Sequence, residues 1–314
     1  MRRLALALSA LVLGVPALAQ DNSRQPYRLD DIVVQPRLLD QATREFVGQV
    51  AFPAARRGPA RWQEGICVGA ANFRPDIAQF IVDRVSDRAR EVGLRPHTPP
   101  CHPFILIVGA DDGEAMANEL VAQRPRLFDP GGAGMRPGGG ALRAFRSGER
   151  AVRWWHVSAP IDSDTGDLAV RLPGLFVQSP DPDMTVMGYA PQVHSNYASR
   201  LATPLEDQLK RSFVIVDADL VGEVTLDQLA DYIAFVTLAQ VDPEADLSRF
   251  DSILNLFSDN GEGSRLSAWD QAYLSGLYEV DPGYVSRGAQ TSALERAILA
   301  AYRAGEIEAD QSNR

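Results

Sequence analysis

Two cysteines and two histidines lie close enough along the chain to form either a disulfide or a metal site. Cys67 and Cys101 are the only cysteines, and His97 and His102 flank the second one. Zinc needs three or four converging ligands, and the two prolines before Cys101 stiffen this loop. In an oxidising compartment a disulfide is the default, and it would close a loop of about 34 residues and contribute on the order of 3–4 kcal/mol. We therefore predict a Cys67–Cys101 disulfide, with a metal site as the alternative.

The N-terminus indicates the compartment. Arg2 and Arg3 precede an apolar run over 4–15, and Ala17 and Ala19 are the small residues that a signal peptidase reads. The run is shorter than the roughly 20 residues that span a bilayer, and polar residues follow at once, which disfavours an uncleaved anchor helix. Residues 1–19 are therefore predicted to be a cleavable bacterial signal peptide. The mature protein is expected to be periplasmic or secreted, with no membrane span after cleavage.

The charge balance excludes one class of partner. The chain carries 41 acidic and 31 basic residues, and loss of Arg2 and Arg3 with the signal peptide makes the formal charge of −10 two units more negative. Nucleic acid and anionic lipid should repel such a chain, since no basic cluster offsets the charge. No nucleic-acid partner is expected.

Asp217 and Asp219 could form the carboxylate pair of a phosphoryl-transfer site. Residues 213–217 are apolar up to Asp217, and Asp219 follows two residues later. This is similar to the strand end of haloacid-dehalogenase-type phosphatases, in which the first carboxylate attacks phosphorus beside Mg²⁺. That chemistry also needs a lysine downstream, whereas Lys210, the only lysine, lies upstream. The favoured interpretation is an ordinary strand end with a polar turn.

Six glycines between residues 129 and 148 could be taken for a phosphate-binding loop. A P-loop needs Gly-Lys-Ser/Thr at the start of a helix, and this segment contains no lysine. The segment is interpreted instead as a mobile surface loop, the first part of a long loop-rich insertion over 129–196.

Trp154, Trp155 and His156 could form an aromatic platform, or an edge strand that pairs with an extended ligand. Neighbouring strand residues face opposite sides, so one tryptophan is expected in the core and the other partly exposed. A catalytic triad of Ser195, His156 and Asp162 can be written down, but no Gly-x-Ser-x-Gly sequence surrounds the serine. The sequence therefore offers no support for a triad.

The hydrophobic pattern predicts an α/β (α+β) fold, with a mixed twisted sheet packed by helices. Helices are predicted over 36–50, 75–92, 112–124, 225–241, 267–278 and 292–304, with a short one beginning at the capping box 203–206, and strands over 62–70, 103–109, 152–161 and 212–217. The helix over 225–241 is apolar nearly all round, which indicates a central buried position. As domains we expect an N-terminal segment over 20–60 with one helix and a linker, a single domain over 61–305 that contains the insertion, and a disordered tail over 306–314.

The last third of the chain contains motifs in a familiar order. A buried strand and the apolar helix precede Ser-Ile-Leu-Asn at 252–255, then Leu-Ser-Ala-Trp-Asp at 266–270 and Leu-Tyr at 277–278. This order resembles the C-terminal half of matrixin-like metzincins, which are zinc metallopeptidases, and of related bacterial secreted proteins. The match covers about residues 212–280 and is weaker over 62–110, where a strand–helix–strand opening is also expected.

The resemblance implies a catalytic zinc site that this chain has lost. Family members carry His-Glu-x-x-His on the helix, a third histidine and a methionine in the turn. At the three histidine positions and the glutamate this sequence has Tyr232, Ile233, Val236 and, at about the third ligand, Asp242, and Leu254 replaces the methionine. Catalytic zinc needs three protein ligands and a nearby carboxylate, which valine and isoleucine cannot supply. We therefore expect no catalytic residue, no cofactor and no metal.

The sequence thus predicts an exported, non-catalytic protein on a metallopeptidase-like scaffold that binds a peptide, a protein or an envelope component. The alternative is a secreted hydrolase or peptidase whose active site lies in the insertion over 129–196, since long loops often carry function. A purely structural envelope protein is a third possibility, and it should have no cleft.

Overall fold

The computed structural model describes residues 36–54, 57–63, 65–132, 135, 140–170, 172, 203–258, 265–281 and 286–312. The predicted signal peptide over 1–19, the segment before Pro36 and most of the insertion after Val170 lie outside the described residues, as does Ser195.

A mixed four-stranded sheet forms the centre of the described structure, as predicted. Its strands are β1 Val68–Ala71, β2 Ile105–Ala110, β3 Val152–Asp162 and β4 Leu205–Asp217, in the spatial order β1-β2-β4-β3. The first three in this order are parallel, and β3 runs antiparallel to β4 at one edge. Because β2 is an unbroken apolar run, it can lie inside the sheet with helices over both faces.

Helices cover both faces of this sheet. They are α1 Pro36–Val50, α2 Pro75–Glu91, α3 Gly113–Gln123, α4 Pro125–Phe128, α5 Ala141–Phe145, α6 Leu226–Leu238, α7 Ala268–Glu279 and α8 Arg287–Ser312, with a 3₁₀ turn over Ile253–Phe257. The larger core packs α1, α2, α6, α7 and α8 on one face, and a smaller core packs α3, α4 and α5 on the other. None of the described helices is long and apolar enough to cross a membrane.

The largest departure from the sequence prediction is β4. The capping box at Thr203–Glu206 was expected to start a helix, and this prediction is wrong, because residues 205–217 form a strand that pairs with β3 along the whole length of β3. The Thr203 hydroxyl instead accepts a hydrogen bond from the Leu205 N–H, two residues on, which is a turn contact rather than a helix cap. The pairing of two long strands outweighs the local helical preference.

Two element boundaries also differ. The strand predicted over 62–70 is limited to Val68–Ala71, since Arg61 and Ile66 make only isolated bridges. The last helix runs from Arg287 to Ser312, so the segment predicted as a disordered tail over 306–314 is helical as far as Ser312. This end of α8 is rich in alanine and glutamate, which favour helix, although its side chains are exposed.

The predicted disulfide is confirmed. The Cys67 and Cys101 sulfurs lie 2.05 Å apart with a Cα–Cα distance of 6.1 Å, and no free cysteine remains. The bond joins the residue before β1 to the loop that leads into β2. A disulfide of this kind is typical of proteins that mature in an oxidising compartment.

Candidate functional site: an aromatic cleft beside the central helix

Helix α6 is the element against which the candidate site is built. Thr225 caps it, because its hydroxyl accepts from the Gln228 N–H while the Gln228 side chain accepts from the Thr225 N–H. Every residue from Leu229 to Leu238 is buried. Asp231, the buried charged residue of α6, forms ion pairs with Arg84 and Arg88 of α2 at 2.9 and 3.1 Å. The position of α6 is therefore fixed from all sides.

Side chains from other elements satisfy the last carbonyls of α6, which have no partner within a helix. His156 of β3 donates from Nε2 to the Val236 carbonyl at 2.7 Å. Trp62 Nε1 donates to the Thr237 carbonyl at 2.8 Å, and the Tyr278 hydroxyl of α7 donates to the Leu238 carbonyl at 2.7 Å. The C-terminal end of the helix is thereby tied to the edge strand and to α7.

His156 therefore has a structural contact rather than a catalytic one. Burial lowers its pKa to about 4, so the imidazole is neutral and the Val236 carbonyl selects the tautomer with a proton on Nε2. Asp162 lies six residues further along the same strand, roughly 20 Å away at the usual rise per residue. The triad written from Ser195, His156 and Asp162 thus gains no support from the two members that are described.

Both tryptophans of β3 are buried, so the expectation that one is partly exposed is wrong. Trp154 faces the larger core and Trp155 the smaller one. Each indole N–H reaches a backbone carbonyl, that of Val241 at 3.1 Å and that of Phe128 at 2.9 Å. Because helices cover both faces of the sheet and backbone carbonyls of α4 and of the segment after α6 accept these bonds, neither ring needs water.

Of the four positions that the resemblance aligns with zinc-site residues, Tyr232 lines an open cavity. Its ring contacts those of Trp154 and Phe257 edge-on, with centroids 6.0 and 5.0 Å away, and burial raises the pKa of its hydroxyl. Ile233 and Val236 lie fully inside the core.

The fourth position, Asp242, is half-buried and accepts a hydrogen bond from the Glu244 N–H at 2.9 Å. Burial raises the pKa of its carboxyl. Among the described residues, no three His, Cys, Asp or Glu side chains lie together in a way that could hold a metal ion.

The turn and the helix that carry the resemblance form one hydrogen-bonded unit. Asp270 of α7 accepts from the Ser252 hydroxyl at 2.6 Å and from the N–H groups of Ile253 and Ser267 at 2.7 and 2.9 Å. Burial raises the pKa of Asp270 to about 6, although the hydrogen bonds from these donors act to lower it. Ser267 completes the cap of α7 by accepting from the Asp270 N–H. The two sequence motifs thus meet in space through a single carboxylate.

An open cavity of about 390 Å³ lies between the start of β3, α6 and the 3₁₀ turn. We call it the aromatic cleft, and its apolar lining consists of Ala151, Val152, Trp154, Leu220, Tyr232, Pro243, Leu254 and Phe257. Glu149 and Arg150 complete its rim, and Arg150 is held there by the Pro243 carbonyl at 2.8 Å and by Glu244. The cleft is concave, apolar and flanked by a few charges, as ligand-binding sites commonly are.

The outer edge of β3 borders this cleft. The Ala151 carbonyl accepts from the Asp217 N–H, which fixes the alternation and turns the backbone groups of Val152, Trp154 and His156 away from β4. These groups have no hydrogen-bond partner among the described residues. Further along the edge, Pro160 and Asp162 bond to residues 167–169. Val152, Trp154 and His156 are at most 7% exposed, so this part of the edge is buried and not open to a further strand.

Of the two carboxylates considered for phosphoryl transfer, that of Asp217 binds backbone N–H groups. Asp217 accepts from the Gly113 N–H at 2.8 Å and from the Asp219 N–H at 3.2 Å. Lys210 lies seven residues back along β4, roughly 23 Å away. Asp217 thereby connects the end of β4 to the start of α3.

Several cleft residues were missed by reasoning from the sequence. Leu220 lies in the turn after β4 and Glu149 in the turn before β3, and neither belongs to a motif or a periodic pattern. Only the folded sheet brings these turns together. Phe257 did carry a signal, because it lies two residues after the turn sequence 252–255.

Comparison with known proteins finds no relative: no protein-family model matches this chain, and no curated protein or solved structure is similar to it.

Proposed function

We propose that this protein is an exported, non-catalytic binding protein on a metzincin-like scaffold, and that the aromatic cleft binds an extended segment of a peptide, a protein or an envelope component. The observation that carries the proposal is the cleft itself. Tyr232 and Leu254 face it from the positions where the resemblance implies a zinc ligand and the turn methionine. An apolar surface there suits a ligand side chain better than a metal ion.

Three features support this proposal. The opening β1–α2–β2 is the strand–helix–strand unit that the resemblance requires, and β4, α6, the turn and α7 follow in the required order. The open cleft of about 390 Å³ has an apolar lining that can take a ligand side chain. The Cys67–Cys101 disulfide fits export to the periplasm or the medium.

The other two functions receive less support. A hydrolase site in the insertion over 129–196 would use His156, whose Nε2 is already held by the Val236 carbonyl, or His194, which lies outside the described residues. A purely structural protein would have no need of an open apolar cleft of about 390 Å³.

The test compares two exposed leucines, one in the cleft and one far from it. Leu220 is 41% exposed at the cleft rim, and Leu38 is 60% exposed on α1. Binding of fluorescent, extended peptides with a central phenylalanine is measured for the native protein and for the Leu220→Asp and Leu38→Asp variants. We expect Leu220→Asp to weaken binding about tenfold or more, as loss of an apolar contact and burial of a charge require, with Leu38→Asp unchanged. Equal binding by all three proteins would place the ligand elsewhere and contradict the proposal.

A further inference from the structure

A strongly acidic crevice adjoins the aromatic cleft. Carboxylates of Asp111, Asp112, Glu114, Glu149, Asp217 and Asp219 line a second cavity of about 520 Å³, which shares Leu220 and Glu149 with the cleft. A ligand that leaves the cleft over Leu220 therefore enters the crevice directly.

The topology of the sheet explains why this crevice exists. It lies at the carboxyl ends of the neighbouring parallel strands β2 and β4. The helix that follows β2 packs on the smaller core, whereas the helix that follows β4 packs on the larger one. The two connections diverge at this point, and open parallel sheets commonly form their ligand-binding crevice where this happens.

The carboxylates are held in place by the backbone. Asp112 accepts from the Ala115 N–H at 2.9 Å, Glu114 from the Gly148 N–H at 3.0 Å, and Asp217 from the Gly113 N–H at 2.8 Å. These bonds fix negative charge around the crevice before any ligand arrives.

Positive charge offsets only part of these carboxylates. Arg153 is the one cation among the described residues that line the crevice, and its charge is attracted to three of the six carboxylates, Glu114, Asp217 and Asp112. It is only 2% exposed, and its Nη atoms donate to the carbonyls of Phe145 and Gly148. Asp111 and Asp219 are exposed beside it. The surface next to the apolar cleft is thus complementary to a cationic group.

We propose that the aromatic cleft and the acidic crevice together bind a cationic peptide segment. One apolar side chain of the ligand occupies the cleft, and Lys or Arg side chains a few residues away along the ligand lie against Asp111 and Asp219. This inference rests on the proposed function, since it names the class of peptide that the cleft takes.

The test uses three fluorescent peptides with the same phenylalanine-centred extended core, flanked by lysines, by glutamines or by glutamates. We expect the lysine-flanked peptide to bind about tenfold tighter than the glutamine-flanked one, the effect of two exposed charge pairs, and the glutamate-flanked peptide to bind weakest. The preference for the lysine-flanked peptide should shrink as salt is raised.

In the Asp111→Asn/Asp219→Asn double variant, the tenfold ratio of lysine-flanked to glutamine-flanked binding should fall towards one. In a matched control, Asp83→Asn/Glu306→Gln, which removes exposed carboxylates of α2 and α8, the ratio should persist.

The outcomes separate the two proposals. If the lysine- and glutamine-flanked peptides bind equally well, the proposed function stands and the cationic preference is overturned. The preference is also overturned if both double variants lower the ratio equally, because general attraction to an acidic chain then explains it. If none of the peptides binds, both proposals are wrong.

Discussion

Two residues of one turn show how differently the scaffold and the cleft are built. Ser252 is fully buried and bonds to Asp270 of α7, whereas Leu254, two residues later, lines the aromatic cleft and makes only apolar contacts there. The polar groups that hold the turn and α7 together are intact. Where the resemblance implies two histidines and a glutamate on the helix, this chain has Tyr232, Ile233 and Val236. On the proposed function, the buried polar network holds the turn in place while apolar side chains line a cleft for a ligand.

Removing the buried carboxylate that joins the turn to α7 should have the largest effect on the free energy of unfolding. Asp270→Ala removes the acceptor of three buried donors, so we expect the free energy of unfolding to fall by about 4 kcal/mol. The exposed neighbour Asp251→Ala should change it by less than about 0.5 kcal/mol. Urea unfolding of both variants checks this, and a loss below about 1 kcal/mol for Asp270→Ala would show that the network contributes little.

The pH dependence of stability should identify His156 as part of the scaffold. Its folded pKa of about 4 lies below the usual histidine value of 6.5, so its contribution to stability is complete at neutral pH and is lost as pH falls through this window. Between about pH 7 and pH 4.5 the native protein should lose about 2–3 kcal/mol that His156→Gln does not lose.

The raised pKa of Asp270 has the opposite sign, because its folded state holds a proton that the unfolded state has released. This contribution cancels when the native protein is compared with His156→Gln. Parallel stability profiles of the two proteins in urea unfolding would mean that His156 is not held neutral by burial.

Two tyrosine hydroxyls should show the same difference between scaffold and cleft, with the smallest expected effect on stability. The Tyr278 hydroxyl donates to the Leu238 carbonyl, whereas the Tyr232 hydroxyl has no hydrogen-bond partner among the described residues. Tyr278→Phe should therefore cost about 1–2 kcal/mol of unfolding free energy, and Tyr232→Phe less than about 0.5 kcal/mol. Equal costs in thermal or urea unfolding would remove the distinction between the scaffold hydroxyl and the cleft hydroxyl.

The sequence predicted those elements whose signals are local. The helices that begin after Thr225 and Ser267 and the apolar run of β2 are each specified within one segment, and all three predicted elements were confirmed. The first half of β4, residues 205–211, was missed because its N-terminal residues carry a helical signal, and only pairing with β3 overrides it. Leu220 and Glu149 could not be assigned to the cleft, since their proximity depends on two turns that the sheet brings together.

The most direct test of the central claim is the metal content and peptidase activity of the purified full chain. The protein is supplied with zinc, the excess is removed by dialysis, and bound metal is measured by elemental analysis. In parallel, the phenylalanine-centred peptide is incubated with the protein, with and without a chelator, and its mass is determined. Our account predicts no stoichiometric zinc, an intact peptide and binding that the chelator leaves unchanged. One zinc per chain, with peptide cleavage that the chelator abolishes, would contradict it.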